Sequence, residues 1–343
     1  MEKVKAWKKK WEYNYQKRLR GALVSVDIME RNEKLYFVLH YGERDWESLL
    51  IQIDMESQEG QILFREDHVM RSPGILEDDR FYFTTFRGKA YCVDLSGTVI
   101  WQTEIGGQNA DWNILLDGNR LYVSAYGLYC LNKEDGTIIW SNQTGCKTNC
   151  SFAVDDTCIY HGDLGGVVRC VDKASGNTVW TYGENRWISH CILVDKDCLM
   201  VCNIHGSFLF LDSKTGKLKQ EVSVGRKLYR KPVFYNGKLY IGDGNSVMDS
   251  TEGFMSCYEL QDDFTLKRIF SFRTGGEIST KAVIDGRCLY FASEDGYLYC
   301  IDNETGEELR KPKKTKGVCR AILVRKDEIF VLSDKGQMEC YIG

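Results

Sequence analysis

A unit of about 40 residues recurs along this 343-residue chain, and the repeat constrains the fold more than any other feature of the sequence. Each unit has an apolar stretch, a turn, an anchor residue, a strand of alternating polarity, an Asp-x-x-x-Gly turn and a strand that often ends in Trp. The anchors are 46, 40, 38, 40, 40, 50 and 40 residues apart. They are Tyr36, Tyr82, Tyr122, Tyr160, Met200, Tyr240, Tyr290 and Phe330. This period predicts a stacked or circular array of four-stranded units, and the period-two alternation of short apolar runs predicts strands rather than helices.

The seventh unit illustrates how each repeat is expected to form four antiparallel strands. Its strands are predicted at 279–284, 288–293, 297–302 and 307–311, with a turn from Asp302 to Gly306. An aspartate carboxylate caps such a turn, and glycine supplies the positive φ. We therefore interpret the aspartates that recur at this position as turn caps rather than catalytic carboxylates. They are Asp94, Asp172, Asp212 and Asp302.

The segments that end at Trp101, Trp140 and Trp180 resemble the tryptophan-docking motif of the quinoprotein (PQQ-like) propeller family. They read CVDLSGTVIW, CLNKEDGTIIW and CVDKASGNTVW, with Cys where that family usually has Ala. The resemblance covers essentially the whole chain, and it implies a β-propeller in which the Trp packs between neighbouring blades. Other residues stand at the Trp position elsewhere, namely Phe64, Phe270, Gln220 and Arg310.

The eighth unit has three predicted strands and no fourth, whereas residues 9–15 form an aromatic-rich segment with Trp11 in the docking position. A helix over residues 1–18 is the alternative, since Lys and Glu favour helices. Pairing the two terminal strands would remove open sheet edges. We predict an all-β fold, an eight-bladed β-propeller of four-stranded antiparallel blades in one domain over residues 1–343. Residues 1–18 would contribute the ring-closing strand and its basic flank.

Fourteen cysteines occur, and their placement argues against a disulfide framework. Six share one repeat position: Cys92, Cys130, Cys170, Cys257, Cys300 and Cys340. Three share a second: Cys158, Cys198 and Cys288. Copies of one position are a blade apart, beyond the Cα spacing of roughly 4.4–6.8 Å that a disulfide needs. We therefore predict small buried side chains with free thiols, and hence the reducing cytoplasm. No signal-like or membrane-length apolar run is present, so no membrane association is expected.

In a propeller with this strand order, the loops from the fourth strand to the next first strand lie on the same face as the loops between the second and third strands. We call the opening of the central channel on this face the mouth, and it is the default ligand site of such a fold. We predict binding residues there at Arg71, Asp111, Trp112, Asn113, Asn149, Arg186, Trp187, His190, Tyr229, Arg230, Lys281 and Arg320. Solvation of a channel is the alternative role for these side chains.

Two of these loops are longer than the repeat requires, over residues 41–48 and 242–253. Exposed apolar side chains on a rigid rim are typical of a protein-binding surface. We predict such side chains at Tyr41, Trp46, Val247 and Met248. A tolerated insertion is the alternative interpretation.

The resemblance implies PQQ and a calcium-type cation as cofactors in the enzymes of the family. A hard cation needs several oxygen ligands, and Asp111 is the one acidic residue among the mouth candidates. Adjacent cysteines, which often stack on that cofactor, are absent. The spacings Cys146/Cys150 and Cys198/Cys202 and the loop 243–249 are weak metal motifs, and no nucleophile elbow or Walker loop occurs. We predict no cofactor, no metal and no catalytic residue.

The charge of the chain is unevenly distributed. Residues 1–20 and residues 310–320 each carry a net charge of +6. The whole chain has a net charge of −4, so all other residues together carry −16. In a closed ring these two segments should be neighbours. We predict a positive sector that attracts an acidic partner, with a solvated edge protected by lysines as the alternative. Nucleic acid is not expected, because the chain is acidic and carries no recognised reading motif.

These features favour a non-catalytic, cytoplasmic, protein-binding β-propeller scaffold, and more narrowly an inhibitor or immunity-type protein of a partner enzyme. One alternative is a quinoprotein-like, PQQ- or metal-dependent oxidoreductase. A second resembles the propeller lipoprotein of the outer-membrane barrel-assembly machine, although the first residues show no lipobox. A third is a small-ligand or glycan sensor that uses Trp112 and Trp187.

Overall fold

The computed structural model describes residues 6–14, 23–24, 27–41, 47–70, 74–106, 113–148, 150–183, 185–225, 228, 230–244 and 252–342. These residues form eight antiparallel sheets, and the fold is an eight-bladed β-propeller, which confirms the predicted fold class. The described residues contain no helix that is long and apolar enough to cross a membrane.

The chain divides into two compact units. The first unit holds residues 1–65 and 226–343, with blades 1, 6, 7 and 8, and the second holds residues 66–225, with blades 2 to 5. The single domain that we expected therefore stays a prediction.

The strands of the first unit follow the predicted repeat. In blade 1 two short strands, β2 and β3, both pair with β4. Blade 1 has β2 (Leu23–Val24), β3 (Met29–Arg31), β4 (Lys34–Tyr41), β5 (Glu47–Asp54) and β6 (Gly60–Glu66). Blade 6 has β23 (Val233–Tyr235), β24 (Lys238–Gly244), β25 (Gly253–Leu260) and β26 (Leu266–Thr274). Blade 7 has β27 (Val283–Asp285), β28 (Cys288–Ala292), β29 (Tyr297–Asp302) and β30 (Glu308–Lys314). Blade 8 has β31 (Cys319–Arg325), β32 (Glu328–Ser333), β33 (Gln337–Ile342) and β1 (Lys8–Asn14).

The second unit contains four regular blades. Blade 2 has β7 (Ile75–Glu77), β8 (Arg80–Thr84), β9 (Lys89–Asp94) and β10 (Val99–Glu104). Blade 3 has β11 (Ile114–Asp117), β12 (Arg120–Ala125), β13 (Gly127–Asn132) and β14 (Ile138–Gln143). Blade 4 has β15 (Ala153–Val154), β16 (Cys158–Gly162), β17 (Val167–Asp172) and β18 (Thr178–Gly183). Blade 5 has β19 (Ile188–Asp195), β20 (Cys198–Asn203), β21 (Ser207–Asp212) and β22 (Leu218–Ser223).

The six cysteines at the first repeat position lie directly opposite the aromatic anchors. Tyr82 pairs with Cys92 across β8 and β9, and Tyr290 pairs with Cys300 in the same way in blade 7. All six are buried in their blades. A small side chain is needed there because the neighbouring anchor ring fills the space on the same face of the sheet. The interpretation of these cysteines as buried core residues is confirmed.

The recurring aspartates cap the turns between the third and fourth strands, as predicted. The Oδ1 atom of Asp94 accepts hydrogen bonds from the backbone N–H groups of Ser96 and Thr98 at 2.8 and 2.9 Å. Asp212 accepts from the N–H of Thr215 at 2.9 Å. The hydroxyls of Ser96 and Thr215 also donate to Asp94 and Asp212 respectively, and these hydroxyl bonds, followed by the backbone bonds, stabilise the charged carboxylates and lower the pKa of Asp94 and of Asp212.

The docking tryptophans connect successive blades of the second unit. Each indole Nε1 donates to a backbone carbonyl of the next blade, with Trp101 bonding Lys133 at 2.9 Å and Trp140 bonding Lys173 at 3.0 Å. Each ring also covers a turn glycine of that blade: a Cβ at Gly136 would lie 2.5 Å from the Trp101 ring. Glycine is required there by this contact and by its φ of 73°.

Strand β1 completes blade 8, which confirms the predicted closing strand. It pairs antiparallel with β33, with Lys8 opposite Ile342 and Trp11 opposite Cys340. Trp11 is buried, and its ring centroid is 5.9 Å from that of Phe330, the anchor of blade 8. The helical alternative for residues 1–18 is wrong for residues 8–14, which form a strand. The burial of Trp11 and the pairing with β33 outweigh the helix propensity of the Lys and Glu residues.

Candidate functional site

Four of the predicted mouth residues lie in the described part of the second unit. Trp187 is 53% exposed, and its carbonyl accepts a hydrogen bond from the N–H of Ile204 at 3.2 Å. Arg186 contacts the Ser207 hydroxyl at 3.2 Å and the Glu221 carboxylate at 3.3 Å. The Trp187 indole is therefore exposed to solvent, and the neighbouring Arg186 guanidinium is partly neutralised by Glu221.

The other two described residues, His190 and Asn113, make contacts that hold neighbouring segments of the inner strands together. The Nδ1 of His190 is 3.3 Å from the Ser151 hydroxyl, and a parallel bridge joins the two backbones. The carbonyl of Asn113 accepts from the N–H of Ser124 at 3.2 Å. His190 and Asn113 thus connect neighbouring segments as well as bordering the predicted mouth.

Other predicted site residues cannot be placed. Tyr41 ends β4, where its backbone pairs with Glu47, and its side chain is outside the description. The remaining residues lie outside the described ranges: Arg71, Asp111, Trp112, Asn149, Tyr229, Trp46, Val247 and Met248.

Three predicted mouth residues lie in the described part of the first unit, and the charges of two of them, Arg230 and Arg320, act on each other. Arg320 makes an ion pair with Glu294, and its second guanidinium nitrogen lies 3.4 Å from the other carboxylate oxygen. Arg230 is partly buried, and its pKa is lowered by burial and by the nearby charge of Arg320. Lys281 is exposed at the start of the inner strand of blade 7.

Asp27, which the sequence analysis missed, belongs to the same region. Asp27 is partly buried, and burial raises its pKa even though Lys281 and Lys231 act in the opposite direction. A calcium ion needs several oxygen ligands, whereas this carboxyl has two lysines as its charged neighbours. No described group of three or more His, Cys, Asp or Glu side chains is arranged to hold a metal ion. The described residues therefore do not fit the calcium-dependent quinone site of the resembling enzymes.

The two basic segments meet in the first unit, as the closing strand requires. The Trp7 indole donates to the Lys311 carbonyl at 2.7 Å, and Arg310 donates to the Ala6 carbonyl at 3.4 Å. The Lys316 ammonium bonds the Glu12 carboxylate at 2.7 Å. We call seven lysines of these two segments the basic sector: Lys8, Lys9, Lys10, Lys311, Lys313, Lys314 and Lys316.

Part of the basic sector is neutralised and part is not. Hydrogen bonds from Lys316 and Lys9 lower the pKa of Glu12 to about 2, and Lys9 also contacts Glu339 at 2.6 Å. Four of the other lysines, at positions 8, 311, 313 and 314, form no ion pair with any described carboxylate. The excess positive charge of the sector is therefore concentrated on those four side chains.

A groove of about 660 Å³ borders the sector along blade 7. Its lining residues are Gly275, Asp295, Tyr297, Tyr299, Glu308, Lys311 and Pro312. Asp295 is fully engaged, because it accepts from the Tyr299 hydroxyl at 2.6 Å and from two backbone N–H groups. Lys314 lies over the Tyr297 ring at 4.5 Å. The groove thus offers tyrosine rings edged by cationic groups.

Trp7 is a second residue that the sequence analysis missed. Blade 7 has Arg310 at the docking position, and the Trp7 ring lies 5.1 Å from its guanidinium carbon. The same ring is 6.3 Å from Tyr290, the anchor of blade 7, and 5.9 Å from Tyr341. Trp7 thus supplies the indole that Arg310 lacks. Two features of the sequence could have indicated this role. Trp7 had no assigned position in the repeat, and blade 7 has Arg310 where other blades have the docking Trp.

Comparison with known proteins identifies the family. The sequence model of the PQQ-like family described as "Outer membrane protein assembly factor BamB" matches residues 31–165, 164–253 and 259–341. A tetrathionate hydrolase of Acidithiobacillus ferrooxidans is 21% identical over 266 residues, which are 67% of this chain and 50% of that protein. The chain therefore matches about half the length of this curated relative.

Two solved structures have the same fold. BamB from Moraxella catarrhalis superposes with a TM-score of 0.72 at 15% identity, covering 98% of this chain and 100% of that one. The quinohemoprotein alcohol dehydrogenase from Comamonas testosteroni superposes with a TM-score of 0.75 at 13% identity, covering 99% of this chain and 77% of that one. At these identities the likeness concerns the fold alone.

Proposed function

We propose, from the premise that the chain belongs to the family of the outer membrane protein assembly factor BamB, that it is a protein-binding β-propeller scaffold. The basic sector and the groove beside it are the proposed contact surface. An acidic segment of a partner protein is the proposed ligand.

The observation that carries this proposal is that the described parts of the two basic segments, residues 6–14 and 310–320, meet in the first unit and bring the seven lysines of the basic sector together. A concentrated positive surface raises the association rate with an acidic partner and makes the rate sensitive to salt. Lys311 is exposed, Lys313 lies 5.4 Å from the centroid of the Tyr341 ring, and neither has a described carboxylate as an ion-pair partner, so their charges remain for a partner to neutralise.

The groove supports binding rather than simple solvation. Tyrosine is enriched at protein interfaces because its ring buries a large apolar area at a low cost in conformational entropy. Tyr297 and Tyr299 line the groove next to Lys311. A partner segment that combines acidic and apolar side chains would match both parts of this surface.

The test compares two charge-reversal variants with the same change in net charge. Lys311→Glu with Lys313→Glu alters the basic sector, and Arg87→Glu with Lys217→Glu alters exposed positions in the second unit. Partners are first captured from a native lysate and purified, and their association rates are then measured at low and high salt. We expect the sector variant to bind roughly tenfold more slowly at low salt, with less salt dependence.

The control variant should keep the wild-type association rate. Equal rates for the two variants would remove the basic sector from the interface and leave it a protective role at the sheet edge. Circular dichroism and melting of both variants exclude loss of the fold as the cause.

The oxidoreductase alternative makes a different prediction. A PQQ enzyme should bind the quinone with calcium, raise its melting temperature and change the cofactor absorbance. The lysines beside Asp27 support the scaffold proposal, because they occupy the surroundings where a cation would need oxygen ligands. Quinone-dependent melting together with dye reduction would favour the enzyme instead.

The compartment and the narrower role are separate proposals. Fourteen thiols favour a reducing compartment such as the cytoplasm, whereas the family name refers to outer-membrane assembly. Cell fractionation under thiol-blocking conditions decides between them. An inhibitor or immunity-type role requires the captured partner to be an enzyme whose activity falls on binding.

A further inference from the structure

Three consecutive blades of the first unit carry basic side chains at the start of the inner strand. Arg230 lies three residues before Val233, which pairs with the anchor Tyr240. Arg320 lies three residues before Leu323, which pairs with the anchor Phe330. The two arginines therefore occupy equivalent positions in blades 6 and 8, and Lys281 lies at the corresponding end of blade 7.

Arg230 is unusual because its charge has no described counterpart. The residue is partly buried, and its Nε atom is fully buried with no hydrogen-bond partner among the described residues. No described carboxylate forms an ion pair with it. Burial lowers the pKa of Arg230, and Arg320 acts in the same direction against the weaker effects of Glu294 and Glu277.

The carboxylate with the largest favourable electrostatic effect on Arg230, that of Glu294, is already used. Glu294 accepts hydrogen bonds from two nitrogens of the Arg320 guanidinium, one on each carboxylate oxygen. Its own backbone N–H is bonded to the Glu277 carbonyl at 2.8 Å, which fixes the loop that carries it. Arg320 is thus held in place by Glu294, and Arg230 remains beside it with unused donors.

A buried guanidinium without an acceptor is unfavourable, and a bound oxyanion would remove that cost. Removing a charged group from water is repaid only by a partner of opposite charge with good hydrogen bonds. The planar fork of an arginine matches the two oxygens of a carboxylate or a phosphate. The exposed ammonium of Lys281 adds positive charge in the same region of the unit.

We propose that Arg230 and Arg320, with Lys281 at their edge, form an oxyanion-binding site for a carboxylate or phosphate group. Arg230 supplies the main contact through its unused donors, and Arg320 supplies a second guanidinium already oriented by Glu294. The site goes beyond the protein-binding role of the basic sector and does not depend on it.

Calorimetric titrations with three probes distinguish the sources of the anion. Inorganic phosphate and succinate represent free ligands, and a hexaglutamate peptide represents a carboxylate on a protein chain. Sodium chloride at matched ionic strength serves as the reference. We expect at least one probe to bind the wild type, and Arg230→Gln to weaken that binding at least tenfold. Arg87→Gln, an exposed arginine of the second unit, is the matched control and should bind as the wild type does.

Each outcome has a definite meaning. Binding of phosphate or succinate that Arg230→Gln abolishes identifies a free anion, whereas binding of hexaglutamate alone identifies a protein carboxylate. The Lys311→Glu and Lys313→Glu variant should keep the binding of phosphate and succinate, so failure of the scaffold proposal would leave this one standing. The proposal is overturned if no probe binds above the chloride reference, or if Arg230→Gln and Arg87→Gln bind equally.

Unfolding measurements without the probes provide an independent readout. A buried charge that awaits a ligand makes the ligand-free protein less stable, so Arg230→Gln should melt at the wild-type temperature or above it. A clear fall in melting temperature would mean that Arg230 is satisfied within the folded chain, which would also overturn the proposal.

Discussion

His161 is a completely buried imidazole in β16, and neither of its ring nitrogens has a hydrogen-bond partner among the described residues. Burial lowers its pKa to about 3, with Arg169 acting in the same direction and Asp163 against it. The unfolded chain, with a pKa near 6.5, therefore binds a proton more readily than the folded protein. The free energy of unfolding is unaffected above pH 6.5 and decreases as the pH falls from 6.5 towards 3.

Replacing His161 with leucine should remove this pH dependence. We expect the His161→Leu variant to be as stable as the wild type at pH 7 or about 1 kcal/mol more stable, because an unsatisfied buried polar group is lost. Between pH 6 and 4 the wild type should lose up to about 1.4 kcal/mol more per pH unit than the variant. Urea unfolding at a series of pH values measures this difference. His205→Gln, at an exposed position, is the control, and parallel pH profiles for wild type and His161→Leu would contradict the assignment.

Among the elements of the fold, the outer strands are specialised in a common way. In β14 and β18 the pairing register shifts one residue before the docking Trp, at Ile139 and Val179 respectively. The same shift occurs in β1 between Lys9 and Trp11. Such bulges twist an edge strand and disfavour edge-to-edge association, which explains why exposed apolar side chains are tolerated there. Blade 7 has the same register shift, before Arg310, but takes its indole from Trp7.

Trp7 should therefore contribute to stability as a docking tryptophan does. Trp7→Ala loses the hydrogen bond to Lys311 and the ring contacts with Tyr290 and Tyr341, and we expect it to cost about 2 kcal/mol. Trp187→Ala, at a 53% exposed position, should cost less than about 0.5 kcal/mol. Chemical denaturation of the two variants measures both values. Equal stability of the two variants would show that Trp7 has no docking role.

Strand β1 as a whole should be essential to the first unit. Deleting residues 1–16 removes Trp7 and Trp11 and exposes the edge of β33, so we expect a loss of more than about 4 kcal/mol or aggregation. Light scattering and thermal melting detect either result. Deletion of residues 1–5 alone serves as the control. An unchanged melting temperature after the longer deletion would be incompatible with the pairing of β1 and β33.

For the molecule as a whole, the cysteines provide a test of the compartment. The described residues, which include all fourteen cysteines, form no disulfide bond, and three of the fourteen are partly exposed: Cys146, Cys158 and Cys288. Burial raises the pKa of Cys92 and of Cys257 to about 11, which makes these thiols unreactive as well as inaccessible.

Thiol titration without reductant should therefore occur in two stages. We expect up to three thiols to react rapidly in the native protein and all fourteen after denaturation. Mass spectrometry of the protein as isolated from its cell gives an independent count. A denatured count lower by two or more, with a matching loss of two hydrogens per pair, would argue against a reducing compartment.

The sequence by itself determined the fold class, the blade boundaries, the turn caps and the closing strand. These features are local or periodic: the register of a hairpin depends on neighbouring residues, and the cap at Asp94 forms with residues up to four positions away. Eight copies of such a pattern make each copy easier to recognise. The adjacency of the two basic segments was also predictable, because it follows from the pairing of the terminal strands.

Only the tertiary structure decided which charged side chains lack a partner and which residues meet across the chain. Trp7 reaches Lys311 over 304 positions, and the charges of Lys231 and Lys281 act on Asp27, which lies in a segment with no repeat pattern of its own. Arg230 and Arg320 looked alike in the sequence, yet Glu294 satisfies one and leaves the other buried without a described acceptor. Such differences depend on distances and burial between blades, and a one-dimensional pattern carries no information about either quantity.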